Sequence, residues 1–168
     1  MPFPLPESSF PPESAALPGP RLVVVPLSRR HLAEVTAIEQ VSFPQPWERR
    51  IFEAILVSKR SLCLAALTLP AQMVAGYACF WFTGDGVQIQ NVAVHPAFRR
   101  RGVARQMLNL GLKEALARGA GLASLEVRPS NLAARRLYAS LGFREMGRVP
   151  NYYQAEMEDA LILQRQLG

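Results

Sequence analysis

The sequence has few of the residues that build metal centres and disulfide-bonded scaffolds. Among 168 residues there are only two cysteines and two histidines. A disulfide framework or a zinc ribbon needs more cysteines, so both are excluded, and a reducing, cytoplasmic setting is favoured. Cys63 and Cys79 lie in apolar runs, where we interpret them as small buried hydrophobic residues. We assign no role to His31 or His95 and expect no metal.

Lysine is also scarce. Only Lys59 and Lys113 are present, so 17 of the 19 basic residues are arginine, and the formal net charge is +6. Arginine forks match phosphate oxygens in a bidentate fashion, which suits an anionic partner, although a compositional habit of the source genome also explains the surplus. A nucleic-acid surface would need arginines gathered with aromatic residues. Only the run 99–101 forms a cluster, so we expect no direct contact with nucleic acid.

Charged residues are absent from 61–84, a segment long enough to cross a bilayer. Pro70 and Gln72 interrupt its middle. We therefore interpret it as two buried strands, 61–68 and 73–82, joined by a turn, and expect no membrane span.

Proline is concentrated at one end of the chain. Eight of the 14 prolines fall in the first 26 residues, and proline has a fixed φ and no backbone donor. We therefore predict that residues 1–20 form a disordered, extended arm. Because no basic residue precedes Arg21, this arm is neither a secretory signal nor an arginine-rich transit peptide. Residues 21–168 are predicted to form one domain.

Hydrophobic periodicity predicts the element order β-α-α-β-β-β-α-β-α-β-β and hence an α/β (α+β) domain with a mixed sheet. The second helix is predicted to begin at Pro46, with Trp47, Ile51 and Ile55 on one stripe. The two closing strands are expected to be separated by a loop that holds residues 151–153. The predicted helices span 28–40, 102–118 and 131–140 besides the one from Pro46, and the remaining strands span 21–25, 87–94, 122–127, 143–149 and 158–165.

An arginine-rich turn precedes the predicted third helix. The first amides of a helix lack partners and carry partial positive charge, and the small Gly102 and Ala104 would let a large anion approach them. The neighbouring Arg99, Arg100 and Arg101, with Arg105, would add positive charge. The turn is neither a P-loop nor a dinucleotide fingerprint, since both need further glycines that are missing. It is either a pyrophosphate site or a solvated capping turn.

The pattern R-x-x-G-x-A, formed by Arg99, Gly102 and Ala104 after a strand ending at Val94, resembles the acetyl-CoA-binding motif of the GNAT acyltransferase superfamily. The resemblance implies the GNAT fold, with splayed central strands, and acetyl-CoA as co-substrate without a metal. It also implies a set of coenzyme-binding residues: Val92, Ala93, Val94, Arg99, Arg100, Arg101, Gly102, Val103, Ala104, Arg105, Asn131 and Tyr138.

Two later segments sharpen this resemblance. Residues 125–131 (LEVRPSN) and 137–143 (LYASLGF) are similar to a signature of N-terminal protein acetyltransferases, most closely the bacterial RimI type. That type acetylates the N-terminal alanine of a small-subunit ribosomal protein. The FPQPW, NYY and EDA segments, at 43–47, 151–153 and 158–160, also match it, so the resemblance covers about 21–167.

The resemblance implies roles for two further side chains. Glu126, in an otherwise apolar strand, would be the general base that removes a proton from the amine. Its alternative is a polar strand edge or a structural pair with Arg128. Tyr138 would be the general acid for the departing thiolate, and its alternative is a packed aromatic residue beside Leu137 and Leu141. Backbone N–H groups at Val92 or Val94 would stabilise the oxyanion.

Four aromatic residues are predicted to border the acceptor groove: Phe43, Trp47, Tyr152 and Tyr153. Core packing is the alternative for Trp47. Aromatic walls suit the N-terminus of a protein better than a lysine side chain. The remaining alternatives are a GNAT enzyme that acetylates a small amine, such as a polyamine or an aminoglycoside, and a non-catalytic module that binds acyl-CoA. Intact Glu126 and Tyr138 argue against the module.

Overall fold

A computed structural model describes residues 21–168, and the predicted arm 1–20 lies outside the described residues. The described residues form seven strands: β1 (Arg21–Pro26), β2 (Ser61–Leu69), β3 (Val74–Thr83), β4 (Gly86–Val94), β5 (Leu122–Val127), β6 (Arg144–Tyr153) and β7 (Glu158–Gln166). The helices among them are α1 (Leu32–Ser42), α2 (Arg49–Val57), α3 (Val103–Ala117) and α4 (Leu132–Ser140), with 3-10 turns at Arg29–His31 and Pro96–Phe98. The predicted element order and the mixed α/β class are confirmed.

The strands form one sheet in the order β1-β2-β3-β4-β5-β7-β6. All neighbours are antiparallel except β4 and β5, which α3 connects as a crossover. These two parallel strands pair at only three positions, the last of which joins Gln88 to Ser124. Beyond that pair β4 continues to Val94 and β5 to Val127 without pairing to each other, which opens a gap in the middle of the sheet.

A bulge in β4 lies beside this gap. Cys79 of β3 pairs with Asn91 and Phe80 pairs with Ile89, so Gln90 is an extra residue with no partner on β3. A bulge bends its strand and increases the local twist. The bend coincides with the stretch in which β4 has left β5.

Two apolar clusters cover the two faces of the sheet. Alternate residues of β3 enter different clusters: Phe80 packs with α3 and α4, whereas Tyr77 packs with α1 and α2. α3 approaches the sheet closely at Gly111, where an added Cβ would lie 2.1 Å from Cζ of Phe80. Because β2 and β3 are covered on both faces, the charge-free segment forms two buried strands, as predicted. No helix in residues 21–168 is long and apolar enough to cross a membrane.

The predicted start of the second helix is wrong. α2 begins at Arg49 with an extended Glu48 as its N-cap, so Pro46 and Trp47 precede the helix. The backbone N–H of Trp47 donates to a carboxylate oxygen of Glu39 at 2.8 Å, which holds the chain in a turn at this point. On the helix, Phe52 is 1% exposed while Ile51 is 37% exposed, so Phe52 replaces Ile51 in the buried stripe.

The predicted loop at residues 151–153 is also wrong, because β6 runs through to Tyr153. The register between β6 and β7 shifts after Val149 and pairing resumes where Tyr153 faces Glu158. Asn151 absorbs the irregularity with a φ of 50°. Both cysteines are buried, unbonded and opposite each other on β2 and β3, which confirms their interpretation as small hydrophobic residues.

Candidate active site

Glu126 lies at the mouth of the gap between β4 and β5. It lies two positions after Ser124, the last residue of β5 that pairs with β4, and its side chain is half-buried while its neighbours Leu125 and Val127 are buried. Both carboxylate oxygens accept hydrogen bonds from Nε2 of Gln88, at 2.9 Å each. The carboxylate is therefore fixed by β4 from across the gap.

The alternative pairing of Glu126 with Arg128 is not found in residues 21–168. Nη1 of Arg128 instead lies 3.1 Å from Glu156 and 3.5 Å from Glu158, and its guanidinium lies 3.7 Å from the centroid of the Tyr153 ring. Glu158 also accepts a hydrogen bond from the backbone N–H of Ser130 at 2.8 Å. Hydrogen bonding by the Ser130 side chain, then by its backbone N–H and by Arg128, lowers the pKa of Glu158. The cluster fixes the β6–β7 turn against the start of α4.

Tyr138 is buried on α4, only 8% exposed, and its ring lies edge-on to Phe143 with centroids 5.7 Å apart. Burial, with a smaller contribution from Tyr153, raises the pKa of Tyr138 to about 12. The phenol therefore keeps its proton through the neutral and mildly alkaline range. A protonated hydroxyl in this position can donate a hydrogen bond or a proton.

Tyr153 links the two predicted catalytic groups. Burial raises the pKa of Tyr153, Arg128 opposes this, and the charge of Glu126 is among the smaller contributions that raise it. Tyr153 in turn raises the pKa of Tyr138. Tyr152 is half-exposed beside Tyr153, with ring centroids 5.1 Å apart.

The arginine-rich turn lies at the start of α3, as predicted. Gly102 is the N-cap with a φ of 75°, and no atom lies within 4 Å of the Cβ that a larger residue would have there. The first amide of α3 to bond back into the helix is that of Gln106, which donates to the Gly102 carbonyl. The amides of Val103, Ala104 and Arg105 have no such helical acceptor. The open space at Gly102 therefore lies at the end of α3 where the backbone N–H groups have no hydrogen-bond partner within the helix.

The arginines of this turn differ in their contacts. Nε of Arg99 turns back to the carbonyl oxygen of Val94 at 3.1 Å, and Arg105 donates to the Ser140 hydroxyl at 2.7 Å. Arg101 stacks over Phe98, with 5.8 Å from its guanidinium carbon to the ring centroid, and Arg100 is exposed. Arg105 thus joins α3 to α4, while Arg100 and Arg101 border the open side of the turn.

Asn131 is the N-cap of α4, and its Oδ1 accepts from the backbone N–H of Ala134 at 3.1 Å. The cap uses the oxygen of the side chain and leaves its NH₂ group directed elsewhere. Phe43 and Trp47 pack against the cluster beneath α1 and α2, and the Trp47 ring lies 5.5 Å from the Phe52 ring. Packing of Trp47 is thus observed.

The sequence analysis missed a buried carboxylate behind the bulge. Glu39 of α1 is 1% exposed. Its carboxylate accepts hydrogen bonds from the hydroxyl of Tyr77 and the backbone N–H of Trp47. It also accepts from Nδ2 of Asn91, which lies 3.1 Å from each carboxylate oxygen. Burial, with Glu39 next in importance, raises the pKa of Tyr77. The signal in the sequence was a glutamate four residues after Val35 on an otherwise apolar helix face.

Comparisons with known proteins identify similar sequences and structures. Residues 32–143 match the sequence profile described as the acetyltransferase (GNAT) family. The chain is 38% identical over 139 residues to the [ribosomal protein bS18]-alanine N-acetyltransferase of Salmonella typhimurium, covering 82% of this chain and 92% of that one. It is 35% identical over 125 residues to an uncharacterised Mycobacterium leprae protein, covering 72% of this chain but only 33% of that longer one.

Solved structures show the same fold. The crystal structure of the ribosomal-protein-S18-alanine N-acetyltransferase from Escherichia coli superposes with a TM-score of 0.80 and 31% identity, covering 88% of this chain and 95% of that one. Arabidopsis thaliana NAA60 in complex with acetyl-CoA superposes with a TM-score of 0.78, covering 88% and 99%. At 19% identity the second comparison bears on the fold alone.

Proposed function

The chain belongs to the GNAT acetyltransferase family, and from this premise we propose that it transfers the acetyl group of acetyl-CoA to the N-terminal amine of a protein. The observation that carries the proposal is the position of Glu126 at the mouth of the gap between β4 and β5, where Gln88 holds its carboxylate. The acceptor we propose is the N-terminal alanine of a small-subunit ribosomal protein, because the Salmonella and Escherichia coli relatives are named for that substrate.

The residues around the gap fit acetyl-CoA. The open space at Gly102, the free amides of the first turn of α3 and the exposed Arg100 and Arg101 suit its diphosphate. The backbone of β4 from Asn91 to Val94 has no partner on β5 and can hydrogen-bond an extended pantetheine arm. When bound, the thioester would supply an activated acetyl group.

The acceptor amine must first lose a proton. A free α-amino group has a pKa of about 7.7–8.0 and is mostly protonated at neutral pH. Glu126, half-buried and with no basic side chain bonded to it in residues 21–168, would accept that proton directly or through one water. A backbone N–H of Val92 or Val94 would donate to the carbonyl oxygen of the acetyl group as that oxygen gains charge.

Tyr138 would protonate the departing thiolate. Its pKa of about 12 means that the proton is present at the start of every turnover. Attack by the amine is direct in this scheme. Both cysteines are buried, and the scheme uses neither in an acyl-enzyme step.

An acidic wall for a polycationic amine is not available from the nearest glutamates. Glu156 is paired with Arg128, and Glu48 is paired with Arg50 at 2.8 Å. Both negative charges are already neutralised within the protein. The aromatic residues near the gap therefore favour a protein N-terminus over a polyamine or an aminoglycoside.

Peptides with free and blocked N-termini test this function. With acetyl-CoA, we expect thiol release in the presence of a peptide that begins with alanine and carries an internal lysine. The same peptide with an acetylated N-terminus should give only background release, because its lysine amine would not be aligned with Glu126. Thiol release is followed spectroscopically, and mass spectrometry locates the acetyl group. Equal release from the two peptides would contradict the proposal.

The role of Tyr138 predicts a defined kinetic loss. Tyr138→Phe should lower kcat about 100-fold, since proton donation to the leaving group contributes on this scale. KM for acetyl-CoA and the melting temperature should change little, because the ring still packs on Phe143. Steady-state kinetics and thermal unfolding measure the two effects. Full activity in this variant would leave Tyr138 as a packing residue.

A further inference from the structure

Two glutamines of β4 form a chain of hydrogen bonds that ends at Glu126. Gln88 is the last residue of β4 to pair with β5, and Gln90 is the exposed residue of the bulge. Nε2 of Gln90 donates to Oε1 of Gln88 at 2.8 Å, and Nε2 of Gln88 donates to both oxygens of Glu126. The bulge therefore brings two amides and one carboxylate into a line at the mouth of the gap.

The direction of this chain follows from the carboxylate. An ionised carboxylate only accepts hydrogen bonds, so the NH₂ group of Gln88 must face Glu126 and its Oε1 must face away. That oxygen needs a donor, which the NH₂ group of Gln90 supplies. Oε1 of Gln90 is then left as an acceptor at the exposed end of the chain.

We propose that Gln88 is a positioning residue that holds the Glu126 carboxylate in place as the base, and that Oε1 of Gln90 accepts a hydrogen bond from a backbone N–H of the acceptor peptide. This inference rests on the proposed function. The amides of Gln88 and Gln90 separate this oxygen from Glu126, so it binds the peptide beyond the amine that reacts. The hydrogen-bonded chain of Gln90, Gln88 and Glu126, here called the relay, thus orients the base at one end and holds the acceptor at the other.

The charged side chain that follows Glu126 most closely is paired elsewhere, so the orientation of the Glu126 carboxylate depends on the amide of Gln88. Arg128, which directly follows β5, is held by Glu156 and Glu158 and by the Tyr153 ring. A cation bonded to Glu126 would compete with the incoming ammonium, whereas an amide does not. Gln88 therefore orients the carboxylate and leaves its charge available to the substrate.

A double-mutant cycle tests the positioning role. Gln88→Met keeps the length of the side chain and removes its donor, and we expect kcat to fall about 10-fold with KM for acetyl-CoA unchanged, the scale of one hydrogen bond to a charged group. In a Glu126→Gln background the same change should alter kcat by less than about 2-fold, because Gln88 would act only through the carboxylate. Gln166→Met removes an exposed amide opposite Leu122, at the far end of β5, and serves as the control.

Gln90→Met tests the binding role. We expect KM for the peptide to rise about 10-fold while kcat stays within about 2-fold of the parent, since the acceptor oxygen contributes to binding rather than to proton transfer. Unchanged KM would overturn the part of the proposal that concerns Gln90.

The outcomes of the double-mutant cycle distinguish a failure of the positioning role of Gln88 from a failure of Glu126 as the base. If Gln88→Met lowers kcat equally in both backgrounds, Gln88 acts elsewhere and the relay is overturned while the role of Glu126 stands. If Glu126→Gln alone retains full activity, the proposed base fails and the relay fails with it. Melting temperatures of all variants show whether a loss of kcat comes from unfolding.

Discussion

Glu126→Gln is expected to lower kcat about 1,000-fold, within the range that removal of a general base produces. The substituted amide has nearly the same shape and still contacts Gln88, but it cannot accept the proton of the amine. The rate of the variant should rise with pH only as the amine itself loses its proton in solution, around its pKa of about 7.7–8.0, so the pH profile should differ from that of the parent. KM for acetyl-CoA should remain close to that of the parent, because the predicted coenzyme contacts are made by the turn at Gly102 and by the backbone of β4.

The measurement is a pH–rate profile of the parent and the variant with an alanine-initiated peptide. Glu145→Gln provides a matched control, since Glu145 is an exposed glutamate on β6. The control should reproduce the parent profile. An identical profile for Glu126→Gln would discard Glu126 as the base and return it to a purely structural position.

Glu39→Leu is expected to lower the free energy of unfolding by about 3–5 kcal/mol. The substitution leaves the hydroxyl of Tyr77, the NH₂ group of Asn91 and the backbone N–H of Trp47 without an acceptor in the interior. Each buried donor that loses its partner costs about 1–3 kcal/mol, although water can reach some of them after the change. Urea unfolding followed by tryptophan fluorescence measures the loss.

The matched control is Glu114→Leu on α3. Glu114 is exposed and pairs with Arg118 one helical turn away at 2.8 Å, a contact worth about 0.5 kcal/mol or less. If Glu39→Leu costs no more than this control, the buried network does not stabilise the fold. Should Glu39→Leu fail to fold, Glu39→Gln keeps one acceptor oxygen and should cost about 1–2 kcal/mol.

Local patterns were sufficient for the order of the elements. Alternation in β5 and helical spacing in α3 are set by neighbours a few residues apart, which a single sequence shows directly. The positions of Glu126 and Tyr138 came from a resemblance, because nothing local separates a catalytic glutamate from one on a polar edge. The structure adds that Gln88 holds Glu126 at the mouth of the gap and that Tyr138 is buried against Phe143.

Long-range contacts could not be read from the sequence. Glu39 meets Tyr77 and Asn91, 38 and 52 residues away, and Gln88 meets Glu126 across 38 residues. A contact of the same kind explains why α2 begins later than predicted. Pro46 suggested a first helical turn at this point, but the Trp47 amide donates to Glu39 and the helix begins at Arg49. Periodicity places such polar residues on a face but does not identify their partners.

β4 and β5 pair at only three positions, here called the seam. Because the seam is short, the stability of the fold should depend on whether the co-substrate is bound. Strands β1–β4 form one half of the sheet and β5–β7 the other, and within residues 21–168 only the three residue pairs between β4 and β5 join the two halves by strand pairing. A molecule bound along the seam would contact both halves of the sheet. At 100 times its Kd it would raise the free energy of unfolding by about 2.7 kcal/mol. We therefore expect acetyl-CoA to slow digestion of the protein by added protease, with cleavage in its absence made easier by the weak connection between the two halves.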